Sequence, residues 1–286
     1  MNCDLHTHTN HSDGASTPAE LVAAAKELNL TIALTDHNTV TGLPEFLAEA
    51  EKVGVNAIAG TELSTLHGDF EFHLLGLFIK PEYFDDVEEY CAAFIKDKKV
   101  SNIDLCNKLN ARGYKIDFAD VEARNVKGNA NRAHIAAELI KAGYVSSVKE
   151  AFNTLLDEDC GLYVPPKRLE LIESIRFLRG VEALPILAHP LKEVDPDRLR
   201  ELLPDLIDAG LVGIETMHSS YSAEEIAISK QIASEFGILE SGGSDYHGYV
   251  KPDVFLGVGR GNVNITMNIL NKLIEHHKFL YEKENA

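Results

Sequence analysis

The sequence predicts an α/β protein made of parallel βα units, with either a closed or nearly closed barrel or an open doubly wound sheet at its centre. Three observations support this class. Short β-rich runs alternate with helical patterns, ligand-type side chains follow many of these runs, and 45% of the 286 residues are hydrophobic, as in ordinary globular proteins. The predicted strands are residues 3–8, 30–37, 55–62, 70–78, 184–189, 211–215 and 238–245.

The best-marked helix begins after the first strand. Thr17-Pro18-Ala19-Glu20 has the pattern of a capping box with proline in the first turn. Leu21, Val22, Ala25 and Leu28 then recur at helical spacing. We therefore expect a helix that packs one apolar face against the sheet.

A long connection separates the fourth and fifth strands, and a connection of this length must have structure of its own. Helical patterns occur within it at residues 87–110, 118–124, 131–142 and 147–156. The sequence therefore predicts a barrel formed by residues 1–80 and 167–286, with residues 81–166 inserted as a small helical cap domain. A cap over the strand ends would contact the non-reacting part of a substrate and exclude water.

The charge balance excludes one class of partner. The chain has 27 Lys and Arg against 45 Asp and Glu, so its formal net charge is −18. Non-specific binding to long nucleic acids depends on cationic side chains that displace counterions from phosphates. We expect no binding to long nucleic acid, although bound metal ions can invert the local field and admit a small anionic substrate.

The chain has no apolar run near the roughly 18 residues that a membrane-spanning helix needs, and its first residues do not combine a basic region with an apolar stretch. Cys3, Cys91, Cys106 and Cys160 are scattered, without the spacing of a disulfide framework or a CxxC pair. We expect a cytoplasmic protein with reduced thiols and no membrane association. The sequence leaves the oligomeric state open.

Potential metal ligands gather at the carboxyl ends of the predicted strands, which is the edge where parallel α/β folds bind ligands. His6 and His8 lie two residues apart on one strand, so their imidazoles point the same way. Any one of these histidines could be an ordinary core or surface residue. Burying the whole set without compensation would cost several kcal/mol per charged group, so together they predict a metal centre. The other members at strand ends are Asp36-His37, Glu62, His189, Asp245 and His247, and His73 within the fourth strand can face the same cavity.

Six short segments resemble the successive motifs of the PHP (polymerase and histidinol phosphatase) family. They run in order from residue 4 to residue 247, and the resemblance is strongest to stand-alone phosphoesterases similar to 3′,5′-nucleotide bisphosphate phosphatases. The segments are Asp4-Leu5-His6-Thr7-His8, Ser12-Asp13-Gly14, Leu34-Thr35-Asp36-His37, Gly60-Thr61-Glu62, Ala188-His189-Pro190 and Gly243-Ser244-Asp245-Tyr246-His247. This resemblance implies a distorted (β/α)7 barrel with two or three divalent metal ions at the carboxyl end of its strands.

The resemblance also implies how the ligands are shared. It assigns His6, His8, Glu62 and Asp245 to one ion, and it assigns Glu62, His73 and His189 to a second, with Glu62 bridging. A third ion would be held by Asp13, His37 and His247. The histidine-rich donor set favours Mn²⁺, with Fe²⁺ or Zn²⁺ as alternatives, over Mg²⁺ or Ca²⁺.

Asn38 departs from the family pattern, because relatives often have aspartate after the Asp-His pair. We do not count it as a ligand, and we expect only the local charge and hydrogen bonding to differ.

Paired metal ions can lower the pKa of a shared water and bind both the attacking and the departing oxygens at phosphorus, so no serine or cysteine nucleophile is required. Asn131-Arg132-Ala133-His134 resembles the Gly-Arg-Pro-His segment of these phosphoesterases, which places Arg132 and His134 beside the substrate. A guanidinium can grip phosphate in a bidentate manner. Lys167 lies where relatives have a lysine near the phosphate, and His134 and His218 are candidate general acids.

The predicted function is a metal-dependent phosphoesterase that acts on a small phosphorylated metabolite or nucleotide. A nucleoside 3′,5′-bisphosphate is the first choice, because the cap offers a second phosphate-gripping group. Cyclic sugar phosphate phosphodiesterase, 5′-end exoribonuclease and histidinol phosphatase are alternatives within the family. An amidohydrolase-like C–N hydrolase and a non-catalytic metal-binding module are alternatives from other classes.

Overall fold

A nearly closed barrel of β-strands lies at the centre of the computed structural model, which describes residues 2–123 and 130–282. The described strands are β1 (Asn2–Asp4), β2 (Leu30–Leu34), β3 (Ala57–His67), β4 (Phe70–Leu77), β5 (Leu169–Glu170), β6 (Leu184–Ala188), β7 (Gly213–His218), β8 (Leu239–Gly243) and β9 (Ile265–Thr266). Their order in the sheet is β8-β7-β6-β4-β3-β2-β1-β9, and β5 pairs with β3 outside this path. The predicted α/β barrel is confirmed.

The barrel closes where β8 approaches the end of β1. The amide of Asp245 donates to the carbonyl of His6 over 2.9 Å, and Thr7 forms a parallel bridge with Tyr246. Residue 243 must be glycine here, because a Cβ atom at this position would come within 2.4 Å of the Cβ of His6. This close approach brings motifs from the two ends of the chain together.

The expectation of parallel units throughout is wrong for the fourth strand, because β4 is antiparallel to both β3 and β6. Strand β3 continues to His67, and only Gly68 and Asp69 separate it from Phe70. A two-residue connection can join antiparallel strands, whereas a parallel crossover needs a dozen or more residues. The short turn therefore determines the direction of β4.

Helices surround the barrel, and the first one has the predicted start. The side chain of Thr17 accepts from the amide of Glu20, and the Glu20 carboxylate accepts from the amide of Thr17. The described helices are α1 (Pro18–Leu28), α2 (Leu43–Val53), α3 (Phe84–Ala111), α4 (Phe118–Ala123), α5 (Arg132–Lys141), α6 (Val148–Ala151), α7 (Leu171–Gly180), α8 (Pro196–Ala209), α9 (Ala223–Phe236) and α10 (Met267–Tyr281). No helix in these ranges is long and apolar enough to cross a membrane.

The described residues between 81 and 166 are largely helical, and α4 to α6 share a buried apolar cluster with the second half of α3. The first half of α3 packs differently, because Val87 and Cys91 join the cluster between the barrel and its outer helices. Helix α3 therefore connects the two regions, and the division into a barrel and a separate cap domain stays a prediction. Arg124, the expected last residue of the second helix in this region, lies outside the described residues.

Candidate active site

The carboxylate of Glu62 lies at the centre of a cluster of imidazoles at the strand ends. Its side chain is 1% exposed, and its two oxygens lie 2.9 to 3.3 Å from nitrogens of five histidines. These are His6, His8, His37, His73 and His189. Four separate stretches of chain thus place nitrogen donors around one residue of β3, as the motif order predicts.

Asp13 and Asp245 extend the cluster on either side. Oδ1 of Asp13 lies 3.1 Å from Nε2 of His247, and Oδ2 lies 3.7 Å from Nε2 of His37. Oδ1 of Asp245 lies 3.3 Å from Nε2 of His8. All nine residues predicted as ligands therefore lie in one cluster.

The backbone at two of these positions adopts an uncommon conformation. His189 has φ of 31° and Asp245 has φ of 57°, both in the left-handed region that non-glycine residues rarely enter. Each is held by a hydrogen bond from its own amide, to the Glu215 carboxylate for His189 and to the His6 carbonyl for Asp245. The strands therefore turn sharply here and direct both side chains into the cluster.

The donor atoms are close enough to share metal ions. Three groups have one donor atom per residue, all within 4.8 Å of one another: His8, Asp13, His37 and His247; His6, His8 and Asp245; and His37, Glu62 and His73. These groups overlap with the predicted assignment but differ from it in two residues. His37 is also grouped with Glu62 and His73, and His8 is also grouped with Asp13. Which residue binds which ion stays a prediction.

The chemistry of the cluster fits divalent cations. Among the described residues, Nε2 of His6, both ring nitrogens of His8, Oε2 of Glu62 and Nδ1 of His189 are buried without a hydrogen bond. Leaving one buried polar atom unsatisfied costs about 1–3 kcal/mol, so several in one place indicate a group that is bound there. Nitrogen and carboxylate donors suit Mn²⁺, Fe²⁺ or Zn²⁺.

Protonation in the cluster is governed by burial and by its neighbours. Burial opposes ionisation of Glu62, but the charges of His6, His37 and His73 hold the pKa of its carboxyl well below the usual range. Burial likewise opposes the charged form of His8, yet the neighbouring carboxylates of Asp245 and Glu62 raise the pKa of its imidazole to about 9. The carboxylates are therefore ready to bind cations, and cation binding at His8 must displace a proton.

Two further buried carboxylates, Glu215 and Asp36, lie beside the nine proposed ligands, and of these only Glu215 was not identified from the sequence. Oε1 of Glu215 lies 3.0 Å from Nδ1 of His6. Oδ1 of Asp36 accepts from the amide of Thr9 and from the hydroxyl of Ser12, and burial raises the pKa of its carboxyl to about 6. The available signal for Glu215 was its position as the last residue of a predicted strand.

Lys251 is a further contact that the sequence analysis missed. Its Nζ lies 2.6 Å from Oδ2 of Asp245, and Nε2 of His218 lies 3.3 Å from the same oxygen. Nδ1 of His218 contacts the hydroxyl of Ser220. Of the predicted general acids, His218 thus lies within the cluster, where it holds the outer oxygen of Asp245.

Asn38, which departs from the family pattern, forms two hydrogen bonds with Ser64. Its amide nitrogen donates to the Ser64 hydroxyl over 3.0 Å, and its amide oxygen accepts from the Ser64 backbone over 2.9 Å. Both ends of the side chain therefore tie the turn after β2 to β3.

The cluster opens into a cavity of about 260 Å³ between the barrel and the helices of residues 81–166. Asp13, His37 and His73 line its barrel side. Lys98 of α3 and Arg132 of α5 line the opposite side. Oδ2 of Asp13 also accepts from the side-chain amide of Asn131, so the two sides are linked by a direct hydrogen bond.

Arg132 is firmly placed in this cavity. Its guanidinium lies 4.1 Å from the ring centre of Tyr163 and 5.4 Å from that of Phe152. Its Nη1 donates to the carbonyl of Leu156 over 3.1 Å and lies 3.6 Å from Oδ1 of Asp157. These contacts orient the guanidinium before any ligand binds.

The other predicted substrate residues are placed differently. Nδ1 of His134 accepts from the amide of Asn131 as part of the cap of α5. Lys167 lines a neighbouring depression of about 600 Å³ and does not line the metal-facing cavity, whereas the next residue, Arg168, lines both. The substrate roles of His134 and Lys167 stay predictions. Lys98 was missed because the helical pattern alone did not show which face of α3 meets the barrel.

Known proteins share this architecture. A family model described as PHP domain matches residues 4–150. The chain is 29% identical over 251 residues to a 5′-3′ exoribonuclease from Haemophilus influenzae, covering 85% of this chain and 89% of the relative. It is 28% identical over 261 residues to a 3′,5′-nucleoside bisphosphate phosphatase from Chromobacterium violaceum, covering 86% and 87%.

A solved structure agrees over nearly the whole length. It is the crystal structure of a provisionally assigned metal-dependent phosphoesterase from Bifidobacterium adolescentis. The TM-score is 0.84, the sequence identity is 28%, and the alignment covers 95% of each chain.

Proposed function

We propose that this chain, which belongs to the PHP domain family, is a metal-dependent phosphoesterase that hydrolyses a small substrate with two phosphoryl groups. A nucleoside 3′,5′-bisphosphate is the substrate that fits best. The phosphoesterase class agrees with the names of its relatives and of the similar structure. The substrate rests on the charges of the cavity.

One observation carries the choice of substrate: cationic side chains face the metal-type cluster across a single cavity. Metal ions at the cluster account for one phosphoryl group. Arg132 and Lys98 on the opposite side offer a second site for phosphate, with the planar guanidinium as a bidentate donor and the ammonium as a point charge. Two cationic side chains on this side of the cavity favour a substrate that carries a second phosphoryl group there.

The nine clustered residues are the proposed ligands of two or three divalent ions, with Mn²⁺ as the first choice and Fe²⁺ or Zn²⁺ as alternatives. When bound, such ions supply an activated water and neutralise charge on the reacting phosphoryl group. Glu62 orients the surrounding imidazoles, and Arg132, preorganised by Tyr163 and Phe152, aligns the substrate through its distal phosphate. His134, in the cap of α5, and His218, beside Asp245, are the proposed candidates for the general acid that protonates the leaving alcohol.

A second candidate is hydrolysis from the 5′ end of RNA. The name of the Haemophilus influenzae relative and the adjoining depression beside Lys167 favour it. The net charge of −18 disfavours extended contact with long nucleic acid. Short oligonucleotides are therefore the relevant alternative.

The test is hydrolysis by the Mn²⁺-loaded protein of a panel of compounds. The panel contains a nucleoside 3′,5′-bisphosphate, a 5′-phosphorylated oligoribonucleotide, a cyclic ribose phosphate, histidinol phosphate and a simple amide or lactam. We expect the bisphosphate to have the highest kcat/KM, and Arg132→Ala to raise KM for it more than for a nucleoside monophosphate. Hydrolysis of amides alone would favour the amidohydrolase class, and inactivity on the whole panel would favour a non-catalytic module.

A further inference from the structure

An ion pair at the edge of the metal-facing cavity connects two strands that are not neighbours. Nη1 of Arg168 bonds to Oε1 of Glu71, and Nη2 lies 3.6 Å from Oε1 of Glu158. The side chain of Arg168 is 9% exposed and that of Glu71 is 35% exposed. The guanidinium is therefore largely buried between carboxylates.

The strand register explains how these two side chains meet. Glu71 and His73 lie two residues apart on β4, so both point to the same face of the sheet. Arg168 directly precedes β5, which pairs with the opposite edge of β3 at Thr65 and Leu66. Neighbouring strands lie about 4.8 Å apart, so the pair crosses roughly 10 Å over β3, a distance that two long side chains can span.

This ion pair stands between two depressions. The metal-facing cavity has a volume of about 260 Å³, and the outer depression has a volume of about 600 Å³. Glu71, Pro166 and Arg168 line both of them, so these three residues form the shared wall. Lys167 lines the outer depression, beyond the wall.

We propose that the Glu71–Arg168 ion pair is a specificity barrier that confines the active site to substrates of single-nucleotide size. The inference rests on the function proposed above and adds the size limit of its substrate. A nucleoside bisphosphate has no further nucleotide attached to its phosphates, so it would not need the outer depression. A 5′-phosphorylated oligonucleotide must continue outward, and the outer depression is the adjoining space into which it would extend.

The barrier holds because opening it separates charges that are partly removed from water. Arg168 would have to leave Glu71, and a buried guanidinium without a partner is strongly unfavourable. A longer substrate would bind less tightly because it must first separate this ion pair, and such unfavourable contacts with the wrong substrate are a common source of specificity. With the wall removed, Lys167 would be available to the next phosphate of the chain.

The test compares two substrates in wild-type protein and in Glu71→Ala/Arg168→Ala. The substrates are a nucleoside 3′,5′-bisphosphate and a 5′-phosphorylated dinucleotide. We expect the double variant to raise the kcat/KM ratio of dinucleotide to bisphosphate by about tenfold or more, a typical size for one steric specificity contact. The charge-swapped variant Glu71→Arg/Arg168→Glu, which re-forms a pair, should return the ratio toward the wild-type value.

A matched control removes another arginine–glutamate pair. Arg200 and Glu235 join α8 to α9 in an exposed ion pair on the helical layer. Arg200→Ala/Glu235→Ala should leave the ratio unchanged. Glu71→Gln keeps the shape of the wall but removes one charge. If the double variant does not fold, this single variant tests the proposal, and we expect a smaller rise in the dinucleotide-to-bisphosphate ratio of kcat/KM.

The outcomes separate the two proposals. Suppose that wild-type protein hydrolyses the bisphosphate and that the variants at Glu71 and Arg168 have the same dinucleotide-to-bisphosphate ratio of kcat/KM as wild type. The barrier is then refuted and the proposed function stands. Equal wild-type efficiency on both substrates also refutes the barrier. If wild-type protein hydrolyses no phosphate ester, the proposed function fails and the barrier fails with it.

Discussion

The Nδ1 atom of His6 lies 3.0 Å from the Oε1 atom of Glu215, and neither side chain has any exposed surface. The other oxygen of Glu215 accepts the amide of His189 over 2.9 Å. When the proton of the neutral imidazole is on Nδ1 of His6, Nε2 carries the lone pair that can bind a metal ion on the side of Glu62. One carboxylate thus orients two of the proposed ligands.

Replacing Glu215 by glutamine should weaken metal binding. The substitution keeps the size of the side chain but removes the charge that selects the tautomer of His6, and loss of such a contact typically costs 10–100-fold in metal affinity. Titration calorimetry with Mn²⁺ measures the change. Glu240→Gln on the adjoining strand, where the carboxylate contacts Thr216, is the matched control. Equal affinity in wild type and Glu215→Gln would contradict the orienting role.

Removal of metal should abolish hydrolysis and lower Tm. The buried atoms of His6, His8, Glu62 and His189 that make no hydrogen bond would each gain a partner when cations bind. Ligand present at 100 times its Kd stabilises a fold by about 2.7 kcal/mol per site. Differential scanning calorimetry before and after chelation, followed by addition of Mn²⁺, Fe²⁺ or Zn²⁺, measures this and ranks the metals. Hydrolysis and Tm that are both insensitive to chelation would refute the metal site.

Affinity for a substrate with two phosphoryl groups should fall at alkaline pH because of Lys98. Burial lowers the pKa of its ammonium to about 8, and the charges of Arg168 and Arg132 also act in this direction while Asp13 opposes them. The group is charged below pH 8 and neutral above, so KM should rise about tenfold as pH increases through this value, consistent with the loss of one charged hydrogen bond.

Lys98→Arg is the control for this pH dependence, because its guanidinium stays charged over the whole range. The variant should show a flatter KM profile, whatever the profile of kcat. Bound phosphate favours the charged ammonium, so the wild-type inflection should lie at or above pH 8. Parallel KM profiles for the two proteins would show that Lys98 does not contact the substrate.

Loosening the core of the region 81–166 should impair substrate binding more than metal binding. Leu139 is fully buried on α5, the helix that begins with Arg132. Leu139→Ala should lower the free energy of unfolding by about 2–5 kcal/mol and raise KM, with little change in Mn²⁺ affinity. Urea unfolding and calorimetry test this, with Val100→Ala at a 61% exposed position of α3 as the control. A fold-loss of Mn²⁺ affinity as large as the fold-rise in KM would contradict this prediction.

The order of motifs allowed the metal cluster to be predicted without a structure. His6 and His8 are two residues apart on one predicted strand, and Glu62, His189 and Asp245 end other predicted strands. The rule that strand ends meet at one edge of the sheet was therefore enough to bring them together. The capping box of α1 was predictable for a related reason, since its hydrogen bonds join residues three apart in the chain.

Long-range pairing decided what the sequence left open. The pairing of β5 with β3 places Arg168, and not its neighbour Lys167, in the wall of the metal-facing cavity. Helix α3 has polar residues on several sides, and only its packing shows that Lys98 faces the cluster. No local pattern encodes either choice.

Residue types and short spacings were enough to predict the βα alternation, the candidate metal-ligating residues and the phosphoesterase family. The direction of β4, the Glu215 carboxylate beside His6 and the cationic side chains that face the ligand cluster became evident from the folded chain. These depend on which strands and helices meet in space, where a side chain's partner can lie two hundred residues away along the chain.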